Sequence, residues 1–269
     1  MIKKKGKNMN DYYEEYLKTQ RKYPTVVVDN FFKNPNIIRK FALSLPYERN
    51  KKGRWADRRS PLLHEVNEPF VKSMARKILS VYFDLRSNEV FWDSIQMGFQ
   101  RTREFSSIKD SLQNKGWIHI DGRRTFAGLV YLTPNISIGA GTTIYRLKEE
   151  YKDFNIEDRQ IEREHLYGDG VYNNDTYDKE INELHKKFEV VTEVKNIYNR
   201  CIMYDGHEYH TASTYHSEGQ ERLILIYFFK NVRCNIIPFD RIMNFEKDIE
   251  NALFTEETEK EIKNDKNKN

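Results

Sequence analysis

The chain has 269 residues, with 45 Lys and Arg against 41 Asp and Glu, for a formal net charge of +4. That near-balance argues against a dedicated nucleic-acid binder. The longest apolar run, the seven residues Leu223 to Phe229, is too short for a membrane helix, and two cysteines are too few for a disulfide framework. Apolar residues make up only 38%, but aromatics reach 13%, enough ring surface to build a sizeable core. The basic start, Met1 to Lys7, has no apolar stretch after it, so a secretory leader is not expected. Cys201 and Cys234 are expected as reduced thiols in a cytoplasmic protein.

In chain order, residues 1–22 read as a polar segment with a short helix at Asp11 to Arg21. Thr25 to Asp29 is β-branched and reads as a buried strand. Asn34-Pro35-Asn36 marks a helix start, and Leu45-Pro46 ends that helix. Residues 47–62 are basic and loop-like. Glu68 to Tyr82 places Phe70, Met74, Ile78 and Tyr82 four apart, which predicts a second helix. The texture then changes to short runs rich in β-branched and aromatic residues. Seven strands are expected: Glu89 to Arg101, Gly116 to Asp121, Thr125 to Leu132, Gly141 to Arg146, Lys187 to Val194, Asn199 to Tyr204 and Arg222 to Val232. Such a series suggests an α+β protein with a mainly β core, a sandwich or jelly roll with flanking N-terminal helices. A single domain is expected over 23–254, with helical support at 23–88 and the β core at 89–235. Residues 147–186 form a polar insertion, a lid or a solvated decoration, with a helix at Thr176 to Lys186. A last helix is expected within 240–254, and the charged tail 255–269 reads as disordered.

The chemistry is concentrated in a few residues. In His119-Ile120-Asp121 an imidazole and a carboxylate fall two apart on one strand, so both point to the same face. They are two thirds of a 2-His-1-carboxylate iron site, which needs another His from a different strand. Tyr131 ends one β-rich run, Gly139-Ala140-Gly141 turns into the next, and Asn199 opens another that feeds Tyr209-His210-Thr211. Arg222 heads the longest apolar strand. If it points inward it needs an anionic partner, and a guanidinium grips a carboxylate with two prongs. Arg58, Arg59, Arg123 and Arg124 either line a substrate mouth or belong to solvated loops. Trp117 and Cys201 read as core residues.

This order resembles the 2-oxoglutarate- and Fe(II)-dependent oxygenases: His-x-Asp, a glycine-marked strand, a distal His 91 residues after the first, then an Arg twelve residues on. Within that superfamily it is most similar to the prolyl-hydroxylase-like branch, and to a phage and bacterial subgroup of unassigned function. Val26 to Leu43 looks like that subgroup's opening strand and helix, and Gly53 to Leu63 like its Arg-Ser loop. The resemblance covers residues 25–232 and implies a double-stranded β-helix core. It implies Fe(II) held by His119, Asp121 and His210, with His207 and His216 as alternatives for the distal ligand. It implies 2-oxoglutarate held by Arg222 and Tyr131, with Asn199 assisting, and O2 as co-reactant. Where the family often has Ser or Thr two residues after the Arg, this chain has Ile224. The implied reaction hydroxylates an unidentified peptide or small-molecule substrate with release of succinate and CO2. The competing readings are a binding module without activity and a cupin-type metalloprotein that does not use 2-oxoglutarate.

Overall fold

The computed structural model describes residues 23–51, 55–121, 126–154 and 174–243, and residue 249. In chain order these contain β1 (Val26–Val28), α1 (Pro35–Ser44), β2 (Glu48–Arg49), β3 (Arg58–Arg59), α2 (Leu63–Val66), α3 (Glu68–Tyr82), β4 (Val90–Phe91), β5 (Ser94–Thr102), β6 (Phe126–Tyr131), β7 (Thr142–Leu147), α4 (Asn174–Lys186), β8 (Phe188–Val194), β9 (Cys201–Asp205), β10 (Tyr209–Ala212), β11 (Arg222–Lys230), β12 (Arg233–Cys234) and α5 (Pro238–Met243). Seven strands form one sheet in the order β1-β9-β6-β11-β5-β3-β2, and three form a second in the order β10-β7-β8. The paired strands of both sheets are antiparallel.

Strand periodicity decides what lies on each side of the large sheet. On β11, Leu223, Leu225, Tyr227 and Phe229 face one way, and Ile224, Ile226 and Phe228 the other. The first set packs with Phe126 and Val130 of β6 against α1 and α3, burying Ala42, Val71, Met74, Ala75, Ile78 and Leu79. Those helices form where their sequences allow. Pro35 sits in the first turn of α1, and the Asn67 side chain accepts the Phe70 N–H at the start of α3. The second set packs with Leu129 and Ile202 against Ile144 of β7 and Val194 of β8, so the small sheet covers this face. On the outer side of the small sheet, α4 buries Tyr177, Ile181 and Leu184 against Trp117, Tyr145 and Phe188. The layers therefore run helices, large sheet, small sheet, helix.

The expected strands at Thr25, Thr125, Gly141, Lys187, Asn199 and Arg222 correspond to β1, β6, β7, β8, β9 and β11 within a few residues. Glu89 to Arg101 is broken at Trp92 and Asp93 into β4 and β5. Gly116 to Asp121 is not a regular strand. It makes a single antiparallel bridge, His119 to His210. Gly116 has no room for a side chain there, because a Cβ would meet the Ala212 carbonyl at 2.2 Å. The loop-like stretch 47–62 contains β2 and β3, held by pairing rather than by β-propensity. Of the helix expected within 240–254, the described residues include the turn Pro238–Met243, and residues 244–248 and 250–254 lie outside the described residues. The helix at 11–21, the charged tail, residues 155–173 of the insertion, and Arg123 and Arg124 lie outside the described residues. Among the described residues, no helix is long and apolar enough to cross a membrane.

Candidate metal and anion site

The space between the two sheets holds a cavity of about 370 Å³. His119, Asp121 and His210 line one wall. His119 and His210 are opposite each other in their bridge, exchanging both backbone hydrogen bonds, His119 N to His210 O at 3.0 Å and His210 N to His119 O at 2.9 Å. Directly opposed residues share a face, and His210 is in phase with Ile144, its partner on β7, which packs against the large sheet. Both imidazoles therefore point inward. Asp121 is fixed by its N–H to the Gly206 carbonyl at 3.0 Å.

Each ring is oriented by its own chain. His119 Nδ1 lies 2.8 Å from the Trp117 carbonyl, and His210 Nδ1 lies 2.8 Å from the Glu208 carbonyl. A carbonyl only accepts, so each Nδ1 donates and each neutral ring keeps its lone pair on Nε2. Those Nε2 atoms lie 3.9 Å (His119) and 3.5 Å (His210) from the two carboxylate oxygens of Asp121. Asp121 Oδ2 is buried and accepts no hydrogen bond. In that tautomer the two Nε2 lone pairs and the Asp121 carboxylate converge within 4.8 Å. A divalent cation with ligands at about 2.1 Å would fit among them, since such ligands lie about 3 Å apart when at right angles. The donor set fits a non-haem Fe(II) site with protein ligands on one face.

Arg222 lies further along the cavity, in phase with Ile224 and Ile226, and is only 4% exposed. Its Nη2 reaches the Gly141 carbonyl at 3.5 Å, and its Nε has no hydrogen-bond partner. Among the described residues no carboxylate pairs with it. A buried guanidinium left this way costs several kcal/mol, which an anion bound in the cavity would offset. Gly141 lets the β7 chain pass close to β8, since a Cβ there would meet the Val194 carbonyl at 2.0 Å.

Tyr131 is fully buried, and its ring centre lies 5.5 Å from the Arg222 guanidinium carbon. Its hydroxyl donates to Thr142 Oγ1 at 2.7 Å, and Thr142 is the residue that lines the cavity. Burial raises the Tyr131 phenol above its ordinary value, against the pull of Arg222 and Thr142, so it stays a neutral donor. Tyr204, which the sequence reading passed over, also lines the cavity, its ring 4.4 Å from that of His210. Burial and then the Asp121 carboxylate push its phenol well up, so it too keeps its proton. The signal for Tyr204 was its phase with Ile202 on a predicted strand. Thr142 carries no such signal: only the register of β7 on β10, which sets it opposite Ala212, brings it to the cavity.

Asn199 lies elsewhere. Its amide accepts the Phe32 N–H and donates to the Phe32 carbonyl, both at 2.8 Å, from a left-handed backbone with φ of 66°. It ties the β1–α1 loop to the turn before β9 and does not line the cavity. His207 Nδ1 bonds Asp205 at 2.9 Å, His216 Nδ1 lies 3.1 Å from Glu104, and neither lines the cavity. Trp117 is buried beside Tyr177, and burial pushes the Cys201 thiol up to about 12, so both are core residues. Both cysteines are free thiols.

The chain belongs to a family of unknown function, DUF6445, whose profile matches residues 12–221. No curated protein matches it. Solved structures of similar fold include HygX from Streptomyces hygroscopicus with nickel and 2-oxoglutarate bound, at 12% identity and TM-score 0.47, covering 81% of this chain and 87% of that one. A prolyl-4-hydroxylase from Pseudomonas putida is also similar, at 12% identity and TM-score 0.42, covering 82% and 98%. So is a prolyl hydroxylase from Trichoplax adhaerens in complex with a hypoxia inducible factor peptide, at 10% identity and TM-score 0.45, covering 87% and 92%.

Proposed function

We propose that the chain is an Fe(II)- and 2-oxoglutarate-dependent oxygenase that hydroxylates a C–H bond of its substrate. One observation carries this reading: the convergent His119, Asp121 and His210 side chains and a buried Arg222, which pairs with no carboxylate among the described residues, face the same cavity. Either feature alone has ordinary explanations. Together they provide a cation site and an anion site, and 2-oxoglutarate spans two such sites with a chelating keto-acid at one end and a carboxylate at the other. Iron bound here would couple O2 reduction to decarboxylation of 2-oxoglutarate, giving succinate, CO2 and the hydroxylated substrate.

His119, Asp121 and His210 hold the metal, and the Trp117 and Glu208 carbonyls keep the imidazoles in the ligating tautomer. Arg222 binds the distal carboxylate. Tyr131 acts through Thr142: it fills the Thr142 acceptor site, leaving the Thr142 hydroxyl proton to be donated into the cavity. That hydroxyl supplies the contact absent at Ile224. Leu129, Ile226 and Phe228 supply the apolar part of the cavity lining.

Anaerobic addition of Fe(II) and then 2-oxoglutarate to the purified protein tests this. A weak visible charge-transfer band is expected, lost in His119→Ala and weakened in Arg222→Ala. Folded, iron-loaded protein that gives no band rules the reading out in favour of a binding module or a cupin-type metalloprotein.

A further inference from the structure

Tyr204 lies on β9 in phase with Ile202, so its ring faces the small sheet. Across the large sheet it is opposite Ala127 on β6, which in turn is opposite Phe228 on β11. Ala127 offers only a methyl group, and the Tyr204 ring packs on His210 of the small sheet, at 4.4 Å between centroids. The phenol therefore stands beside one of the three candidate metal ligands. Arg222 enters the same cavity from another level, six residues before Phe228 on β11.

Tyr82, Tyr131 and Tyr227 are buried as deeply and use their hydroxyls inside the protein. Tyr82 donates to the Pro24 carbonyl at 2.9 Å, Tyr131 to Thr142 Oγ1 at 2.7 Å and Tyr227 to the Ile202 carbonyl at 3.3 Å. Tyr204 is only 4% exposed, yet its hydroxyl makes no hydrogen bond among the described residues. A buried hydroxyl in that state is destabilising unless water or a ligand meets it, and Tyr204 lines the cavity. Beyond the effect of burial, Asp121 and Tyr131 raise its pKa and Arg222 lowers it. The hydroxyl thus stands in the field of both ends of the cavity, the Asp121 end and the Arg222 end.

Resting on the oxygenase reading above, the donors of the cavity can be matched to the two ends of 2-oxoglutarate. The far carboxylate has Arg222 and the Thr142 hydroxyl. The metal ligands make no such provision for the chelating end. Both Nδ1–H groups are directed at the Trp117 and Glu208 carbonyls, and an ionised Asp121 only accepts. A carboxylate that gives one oxygen to a metal keeps a second oxygen able to take a hydrogen bond. Tyr204, beside His210 and with its proton uncommitted, is placed to give it.

We propose that Tyr204 is a cosubstrate-binding residue whose hydroxyl donates to the metal-chelating carboxylate of 2-oxoglutarate, at the end opposite Arg222. Of the run Asn199 to Tyr204, it is the last residue and not the first that serves the cosubstrate.

The test compares two keto acids in anaerobic titrations of the Fe(II)-loaded full chain, followed by the charge-transfer band. Pyruvate keeps the chelating keto acid and lacks the far carboxylate. Tyr204→Phe, which keeps the ring on His210, should weaken 2-oxoglutarate and pyruvate alike, each about tenfold. Arg222→Gln should weaken 2-oxoglutarate far more than pyruvate. The band position is a second readout, one that a packing role would not move. A hydrogen bond to the chelate lowers the energy of the charge-transfer state. Tyr204→Phe should therefore shift the band to shorter wavelength, and Arg222→Gln should leave it in place. The melting temperature of metal-free Tyr204→Phe should be unchanged or higher, because no protein contact is lost. Affinities and band position that are unchanged in Tyr204→Phe overturn the proposal. So does a loss confined to 2-oxoglutarate, which would put the hydroxyl at the Arg222 end. A wild-type protein that gives no band with either keto acid overturns the oxygenase reading and this proposal with it, and that failure is recognised in the wild type alone.

Discussion

The two faces of the seven-stranded sheet are made from the same strands and are built to opposite ends. Under α1 and α3 the face is apolar, with Phe126 and Phe229 stacked at 4.5 Å between centroids, and its charged residues Arg58 and Arg101 are paired with Glu221. The face toward the small sheet carries Arg59, Gln100, Tyr204 and Arg222 among its aliphatic residues, and leaves Arg222 Nε without a partner. Alternation along each strand lets one segment do both. The lesson is that the unpartnered Arg222 Nε and Asp121 Oδ2 lie on the cavity side, where a ligand can meet them, and the apolar packing under the helices supplies stability that offsets them.

The comparison is most easily broken from the helix side. Phe229→Ala should cost about 3–5 kcal/mol of unfolding free energy in urea titration, the usual range for a fully buried Phe. Folded protein at low temperature should keep its 2-oxoglutarate affinity within about threefold. The mirror experiment is Arg222→Met. It should lower 2-oxoglutarate affinity at least about 100-fold by calorimetry, since a truncated buried charge contact costs about 3 kcal/mol, while leaving the melting temperature unchanged or higher. A large fall in melting temperature would show that Arg222 supports the fold.

The outer side of the small sheet sharpens the contrast through pH. Burial lowers the His185 pKa to about 4, and its Nε2 lies 2.8 Å from the Gly116 carbonyl, to which it donates. Between pH 6.5 and 4 the unfolded chain takes up a proton there that the folded chain refuses. Stability therefore falls as pH falls through that window, by about 3 kcal/mol at most. Chemical denaturation at pH 7 and pH 4.5 should show the loss, and His185→Asn should shrink it. The smallest expected effect is on the inner face. Tyr131→Phe removes one hydrogen bond behind Thr142 and should weaken 2-oxoglutarate binding about fivefold, with Thr142→Val costing more. Equal effects would place Tyr131 in direct contact with the ligand.

Much of this was legible in the sequence, for physical reasons. The central strands are buried on both faces, so β-branched and aromatic runs marked β6, β9 and β11. The i, i+2 spacing put His119 and Asp121 on one side, and the position of Arg222 at the head of an apolar strand pointed to an inward cation. What escaped was set by pairing. β3 has two arginines and no propensity signal, and only its register against β5 shows which arginine enters the cavity. Asn199 is a cosubstrate candidate in the sequence but lies away from the cavity. Its left-handed backbone and its pair of bonds to Phe32, 167 residues away, are tertiary facts.

The site is divided between the sheets. His119, Asp121 and His210 belong to the small sheet and its bridged segment, whereas Arg222, Gln100 and Arg59 belong to the large one. On the oxygenase reading, the metal ligands and the residue for the far carboxylate are therefore brought together only by the packing of one sheet on the other, and a change in that packing would separate metal affinity from cosubstrate affinity.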